Sequence, residues 1–157
     1  MKPLTRAVIE TAAMGTAEVS VGVGVLSPLV RYHVPARELL LSAAVVAVVY
    51  GAVMWVLLYR NRWRAARDAT ESADGRERED PGRSWLRGTT IGLPVGILCG
   101  VIAAKTGNGG LAGIAVGNGV DLLILAGLIR RTERARGVEL LRYPAFRRSG
   151  GHDFYVG

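Results

Sequence analysis

The chain is poor in the residues from which many enzyme active sites and metal sites are built. It has one cysteine, Cys99, and two isolated histidines, His33 and His152. A single cysteine excludes a disulfide within the chain and a cysteine metal cluster, and neither histidine has metal-ligand spacing to another ligand. No Ser-His-Asp order and no HExxH motif accompanies them. The sequence therefore predicts that the protein is not an enzyme and holds no cofactor or metal.

Lysine is also scarce, with two Lys against 18 Arg, and the net charge is +7. Half of the residues are hydrophobic and 21% are charged, but the two kinds are segregated into separate blocks. That segregation is typical of a membrane protein. A positive balance would also suit nucleic acid, but no recognition motif is present and the basic residues flank the apolar blocks. We therefore expect a lipid bilayer as the main partner, and no nucleic acid.

Four apolar blocks approach or reach the length of about 20 helical residues that a membrane span requires. They cover residues 7–30, 39–59, 88–104 and 111–129. The first block contains Glu18, and without it the uninterrupted apolar run is too short to span. The sequence predicts an all-α integral membrane protein with four transmembrane helices arranged as two helical hairpins.

The basic residues are distributed unevenly between the two ends of these predicted helices. Seventeen of the 20 lie in the N-terminus, the polar segment between the hairpins and the C-terminal part, which the positive-inside rule places in the cytoplasm. We therefore expect a plasma membrane protein with both termini inside. The predicted segments are a first hairpin (1–67), a polar cytoplasmic linker without a core of its own (68–84), a glycine-rich second hairpin (85–131) and a basic cytoplasmic tail (132–157).

Aromatic residues make up only 6% of the chain and collect near the predicted membrane boundaries. At the end of the second span, three of them at a spacing of four are expected to form an interfacial belt: Trp55, Tyr59 and Trp63. In the tail, arginines and aromatic residues are expected to rest on anionic lipid headgroups. The tail aromatics are Tyr143, Phe146, Phe154 and Tyr155.

Glycine recurs at every fourth position twice in the second hairpin. The first glycine ladder is Gly88, Gly92, Gly96 and Gly100. The second glycine ladder is Gly109, Gly113 and Gly117, and its next position is Asp121. In lipid, small residues at this spacing let two helix backbones approach closely. We expect both ladders to mediate tight helix packing, within one chain or between copies.

Two carboxylates lie near the middle of apolar blocks, Glu18 in the first and Asp121 in the fourth. A charge at the bilayer centre costs about 2.5–3.5 kcal/mol on insertion scales, so such groups are normally paired, protonated or hydrated. We predict that the stripe of the first helix through Glu18 packs on the second glycine ladder, forming one polar site from Glu18, Asn118 and Asp121. Glu10 is expected to pair with Arg6, four residues earlier, at the interface.

Two functions are compatible with this pattern. The first is a structural or accessory role, in which the glycine stripes mediate packing or assembly in a homo-oligomer or membrane complex. The second is a small proton- or cation-coupled transporter or channel that uses Glu18 and Asp121. The four-helix architecture and Glu18 resemble the small multidrug resistance transporters, whereas the long linker, the extended tail and the strong charge bias depart from that family. We favour the structural role because helix packing alone explains the glycines.

Overall fold

A computed structural model describes residues 4–31, 35–71, 73, 75, 77–106, 108–142 and 154–157. Most of these residues are helical. The helices are α1 (Ala7–Arg31), α2 (Ala36–Met54), α3 (Arg60–Arg67), α4 (Pro81–Thr106) and α5 (Gly109–Arg136). A π-helical turn, Trp55–Tyr59, connects α2 to α3, and together they form one long helix. The sequence predictions for His33, Tyr143, Phe146 and His152 concern positions outside the described residues.

Within the described part of the chain, three helices are long and apolar enough to cross a membrane: Ala36–Arg67, Pro81–Ala103 and Gly109–Arg136. Together they coincide with the second, third and fourth predicted spans. Helix α1 coincides with the first predicted span but is not among the three, and it carries two glutamates. Many large apolar side chains on α2 and α4 are exposed, which is the pattern of helices that face lipid or another apolar partner.

The helices form a bundle with α1 and α5 at its centre. Helix α1 packs against α4 on one side and α5 on the other, and α2 packs against α5. Along the α1–α5 contact, Gly15 meets Gly119 and Gly22 meets Val116, so these two helices run antiparallel. Both contacts involve glycine, and the two backbones can therefore lie close together.

A small three-stranded antiparallel sheet closes one end of the bundle. Its strands are β1 (Thr5–Arg6), β2 (Leu140–Arg142) and β3 (Tyr155–Val156), in the order β1-β2-β3. The all-α prediction missed these strands. They become possible because α5 ends at Gly137, whose φ of 65° lets the chain leave the helix in the left-handed conformation.

The segment between α3 and α4 is attached to this sheet by backbone hydrogen bonds. The Leu4 N–H donates to Glu77 O (2.8 Å), and the Glu79 N–H donates to Leu4 O (2.9 Å). In addition, the Ala73 N–H donates to Val156 O (2.7 Å). The segment is shorter than the predicted linker because α4 already begins at Pro81.

These contacts create two apolar clusters at this end of the protein. The smaller one consists of Leu4, Ala73, Leu141 and Tyr155, and Phe154 belongs to the larger one at the base of the helices. Phe154 and Tyr155 are only 3% and 5% exposed. The expectation of these two aromatics at the lipid surface was therefore wrong, because it missed the pairing of segments far apart in the sequence. The predicted linker contributes Ala73 to the smaller cluster.

Candidate functional site

The first glycine ladder packs on α1. All four of its members are buried: Gly88, Gly92, Gly96 and Gly100. A Cβ atom at Gly92 would lie 2.6 Å from Met14 O, and one at Gly96 would lie 2.9 Å from the Val21 Cβ. Because these contacts follow the same order in both helices, α4 runs parallel to α1. No side chain larger than hydrogen fits between the two helices at these positions without a shift.

The second glycine ladder packs on α2. A Cβ atom at Gly109 would lie 2.8 Å from Leu39 O, and one at Gly117 would lie 2.5 Å from Ala47 O. Between them, Gly113 lies against Ala43 O. Helices α2 and α5 therefore run parallel and in close backbone contact. Sequence reasoning expected this ladder to face the Glu18 stripe of the first helix, which is not what the structure shows.

Helix α5 contacts α1 through a different face. There a Cβ atom at Gly119 would lie 2.8 Å from Gly15 O, and the neighbouring Asn118 reaches Glu18. The helix thus has small residues on two faces, one for α2 and one for α1. This arrangement places α5 between two helices and makes it the most buried of the three membrane-spanning candidates.

Asn118 connects three helices through hydrogen bonds. Its Nδ2 donates to Glu18 Oε2 on α1 (2.5 Å), and its Oδ1 accepts from the Tyr59 hydroxyl (2.6 Å). Glu18 is 2% exposed and Tyr59 is 4% exposed. A carboxylate only accepts, so the amide nitrogen faces Glu18, and the amide oxygen is left to accept from the Tyr59 hydroxyl. The hydrogen-bonded chain Tyr59–Asn118–Glu18 is the polar centre of the bundle.

Tyr59 is a site residue that sequence reasoning assigned to the aromatic belt instead. It is the last residue of the π-helical turn, where i→i+5 hydrogen bonds add one residue to the turn. Leu58 is 44% exposed, whereas Tyr59 is buried and points into the bundle. A tyrosine at the end of an apolar block normally indicates the interface, and the hydrophobic pattern carries no signal for the π turn.

Asp121 lies one helical turn after Asn118, on the side of α5 that faces α2. It is 7% exposed, and a Cβ atom at Gly51 would lie 3.4 Å from both of its carboxyl oxygens. Among the described residues its Oδ2 has no hydrogen-bond partner. The structure thus brings Glu18 and Asn118 into contact and places Asp121 nearby, against a different helix.

Glu10 forms a buried ionic contact where α1 meets the sheet. Its Oε2 lies 3.0 Å from Arg142 Nε and accepts a hydrogen bond from the Thr5 hydroxyl (2.8 Å). Arg6, the partner expected for Glu10, instead forms an ion pair with Glu139. The Arg6 Nε lies 3.0 Å from Glu139 Oε1, but the geometry is not that of a hydrogen bond. The predicted local pair is therefore replaced by a long-range pair that ties α1 to β2.

Exposed arginines surround the ends of α3 and α5, which pack against each other. We call this group the arginine collar: Arg60, Arg62, Arg64, Arg130, Arg131 and Arg134. No member forms an ion pair with a carboxylate in the described ranges, whereas Arg67 beside them pairs with Asp68 at 2.9 Å. The collar is therefore an exposed region of positive charge next to the apolar part of the bundle.

Together with Asp121, one turn further along α5, the polar centre offers two carboxyl groups, an amide and a phenol, which suit hydrogen bonding and proton exchange. Over the residues that the structure describes, no group of three or more His, Cys, Asp or Glu side chains could hold a metal ion. No protein-family model, curated protein or solved structure with which the chain was compared matches it. Inference about function therefore rests on the geometry of the bundle.

Proposed function

We propose that the protein crosses the plasma membrane four times, with both termini and the linker in the cytoplasm. The hydrogen bonds from Leu4 to the linker, and the pairing of β1 with β2, support this topology because they hold all three segments at one end of the bundle. An even number of crossings must then separate them. Helix α1 has 25 residues, enough for a span, and it packs between α4 and α5.

The proposed role is structural or accessory, as a tightly packed helical subunit of a membrane complex or homo-oligomer. The observation that carries this proposal is that helices of the same chain cover both glycine ladders. Close backbone packing then serves the internal architecture of the bundle. A partner in the membrane would meet the exposed apolar faces of α2, the π-helical turn and α4, which include Leu41, Val48, Leu57, Leu86 and Leu98.

Reconstitution into liposomes tests this role. The full chain is expected to produce no proton, Na⁺ or K⁺ flux above that of empty liposomes, and to migrate as a defined assembly in mild detergent. Flux that is present in the wild type and lost in both Glu18→Gln and Asp121→Asn, with the assembly intact, would overturn the structural role.

That outcome would instead establish the second candidate, a small proton- or cation-coupled transporter or channel. The observation that favours it is the buried Asp121 Oδ2, which has no hydrogen-bond partner among the described residues. Asp121 lies one helical turn after Asn118 on α5. Intramembrane carboxyl groups of this kind often mark ion or proton pathways. The exposed Asp68→Asn variant is a matched control, since it removes a carboxylate outside the bundle.

We also propose that anionic lipid headgroups bind at the basic end of the protein. Sequence reasoning expected the tail to supply this contact, and in the described residues the arginine collar presents the exposed charge. Each basic residue near an anionic leaflet contributes about 1 kcal/mol of attraction. The collar lies at the ends of two helices, Ala36–Arg67 and α5, beyond the apolar part of each. This is the level expected for lipid headgroups.

A further inference from the structure

We propose that Glu18, Asn118 and Asp121 form a proton-binding site inside the bundle, with Tyr59 as its positioning residue. The proposal rests on the carboxyl groups of the second candidate function, but it requires only that they bind a proton and not that the protein transports one. Binding converts a carboxylate and a proton into a neutral carboxyl group, and no other bond changes.

The first argument is the orientation of the Asn118 amide. The Tyr59 hydroxyl donates to Oδ1, which leaves Nδ2 to donate to Glu18 Oε2. A donor facing a carboxyl oxygen favours its charged form, whereas an acceptor in the same place favours the protonated form. Tyr59 therefore influences the proton affinity of Glu18 without touching it, because it determines which end of the amide Glu18 meets.

The second argument is the backbone at Tyr59. Single π-helical turns within α-helices are frequent at functional sites, and this one ends at the residue that reaches Asn118. The tyrosine is buried while Leu58 before it is exposed. The irregular turn thus directs a phenol, instead of an aliphatic side chain, into the bundle.

The third argument is the surroundings of the two carboxyl groups. The titratable groups near enough to interact electrostatically with Glu18 are Tyr50 of α2, Tyr59 of the π-helical turn and Cys99 of α4. The Arg62 guanidinium lies over the Tyr59 ring, 6.0 Å from its centroid. In the part of the chain that the structure describes, no Lys, Arg or His forms an ion pair with Glu18 or Asp121. A buried carboxylate without such a partner is strongly disfavoured.

A proton fits this site better than a metal ion. Asn118 Oδ1 already accepts from Tyr59, and the described residues offer no third acidic, Cys or His ligand. A metal ion of the Ca²⁺ or Mg²⁺ type requires about six oxygen ligands. A proton needs only one carboxyl oxygen, and Asp121 Oδ2 is without a partner in the described structure.

Infrared titration of the full-length protein in lipid tests the proposal. The carbonyl stretch of protonated carboxyl groups is followed against pH for the wild type, Glu18→Gln, Asp121→Asn, Tyr59→Phe and the control Tyr50→Phe. The wild type is expected to show a buried protonated carboxyl band near neutral pH, and Glu18→Gln and Asp121→Asn each remove part of it. Tyr59→Phe frees the amide to turn, so the Glu18 component persists to higher pH by about one unit, a tenfold change in proton affinity.

Tyr50→Phe removes a hydroxyl from the same long helix but leaves both Asn118 hydrogen bonds in place, and it is expected to titrate like the wild type. The proposal is overturned if no buried protonated carboxyl band is found, or if Tyr59→Phe titrates like Tyr50→Phe. If the band is present but liposomes show no flux, the proton site is supported and the transporter function is excluded. Flux without any band eliminates the proton site and leaves cation-coupled transport as the form of the second candidate that remains.

Discussion

Asn118 and Glu18, separated by 100 positions in the sequence, share a 2.5 Å hydrogen bond between α5 and α1. Because Asn118 also accepts from Tyr59, the same side chain links α5 to α2. In a membrane the hydrophobic effect does not hold helices together, so close packing and interhelical hydrogen bonds define their register. Asn118, which lies in the most buried membrane-spanning candidate, therefore helps to define how these helices pack together.

Replacement of Asn118 by Ala should destabilise the bundle. It leaves Glu18 and Tyr59 without the shared amide, and the expected loss in the free energy of unfolding is about 1–3 kcal/mol. Unfolding in mild detergent, followed by circular dichroism, measures the change. Asn61→Ala is the control because Asn61 is exposed on α3. Equal stability of the two variants would contradict a joining role for Asn118.

Alanine at Gly117 should destabilise the protein, although alanine normally favours a helix. The added Cβ would lie 2.5 Å from Ala47 O, so the two backbones must separate, and overpacking of this kind costs about 1–3 kcal/mol. Gly127→Ala is a matched control in the same helix because nothing lies within 4 Å of its Cβ position. It should be neutral or stabilising by up to about 1 kcal/mol. Thermal unfolding of both variants in detergent measures the difference. If Gly117→Ala is as stable as Gly127→Ala, the two helices are not in close contact at this position.

Removal of the Arg142 side chain should weaken the attachment of the tail to α1. Glu10 is fully buried and Arg142 is 8% exposed, and breaking a buried pair by removing one partner costs about 3–5 kcal/mol. Arg142→Met is expected to lower stability strongly, and the double variant Glu10→Gln, Arg142→Met should recover a large part of the loss. Limited proteolysis and thermal unfolding follow the change. Arg67→Met, which disrupts an exposed pair, is the control and should behave like the wild type.

The arginine collar should determine how much anionic lipid stays with the protein. Replacement of Arg60, Arg62 and Arg64 by Gln removes three exposed positive charges, each worth about 1 kcal/mol near an anionic surface. Native mass spectrometry of the protein extracted from mixed lipid should show fewer bound anionic lipids. Arg37→Gln removes an exposed charge at the other end of the same long helix and should change little. If the triple variant and Arg37→Gln retain equal amounts of anionic lipid, the collar is not the lipid-binding surface.

The sequence predicted the helical stretches well because apolar blocks and glycine spacing are local signals. The partner of each glycine ladder was less predictable, because α5 has glycines on two faces, at Gly117 and at Gly119, and a sequence does not say which face meets which helix. Tyr59 was missed because a π turn changes its direction without any change in hydrophobic pattern. The small sheet was missed because it pairs a strand from the beginning of the chain with two strands from its end.

The most direct test of the proposed four-span bundle is the side of the membrane on which its ends lie. In a Cys99→Ser background, single cysteines are placed next to Met1, at Arg83, after Gly157 and at Asn108, and intact cells are treated with a membrane-impermeant thiol reagent. The account predicts labelling of Asn108→Cys alone, with the other three labelled only after the membrane is opened. Labelling of the cysteine next to Met1 in intact cells, with Arg83→Cys protected, would show that α1 does not cross the membrane and would contradict the account.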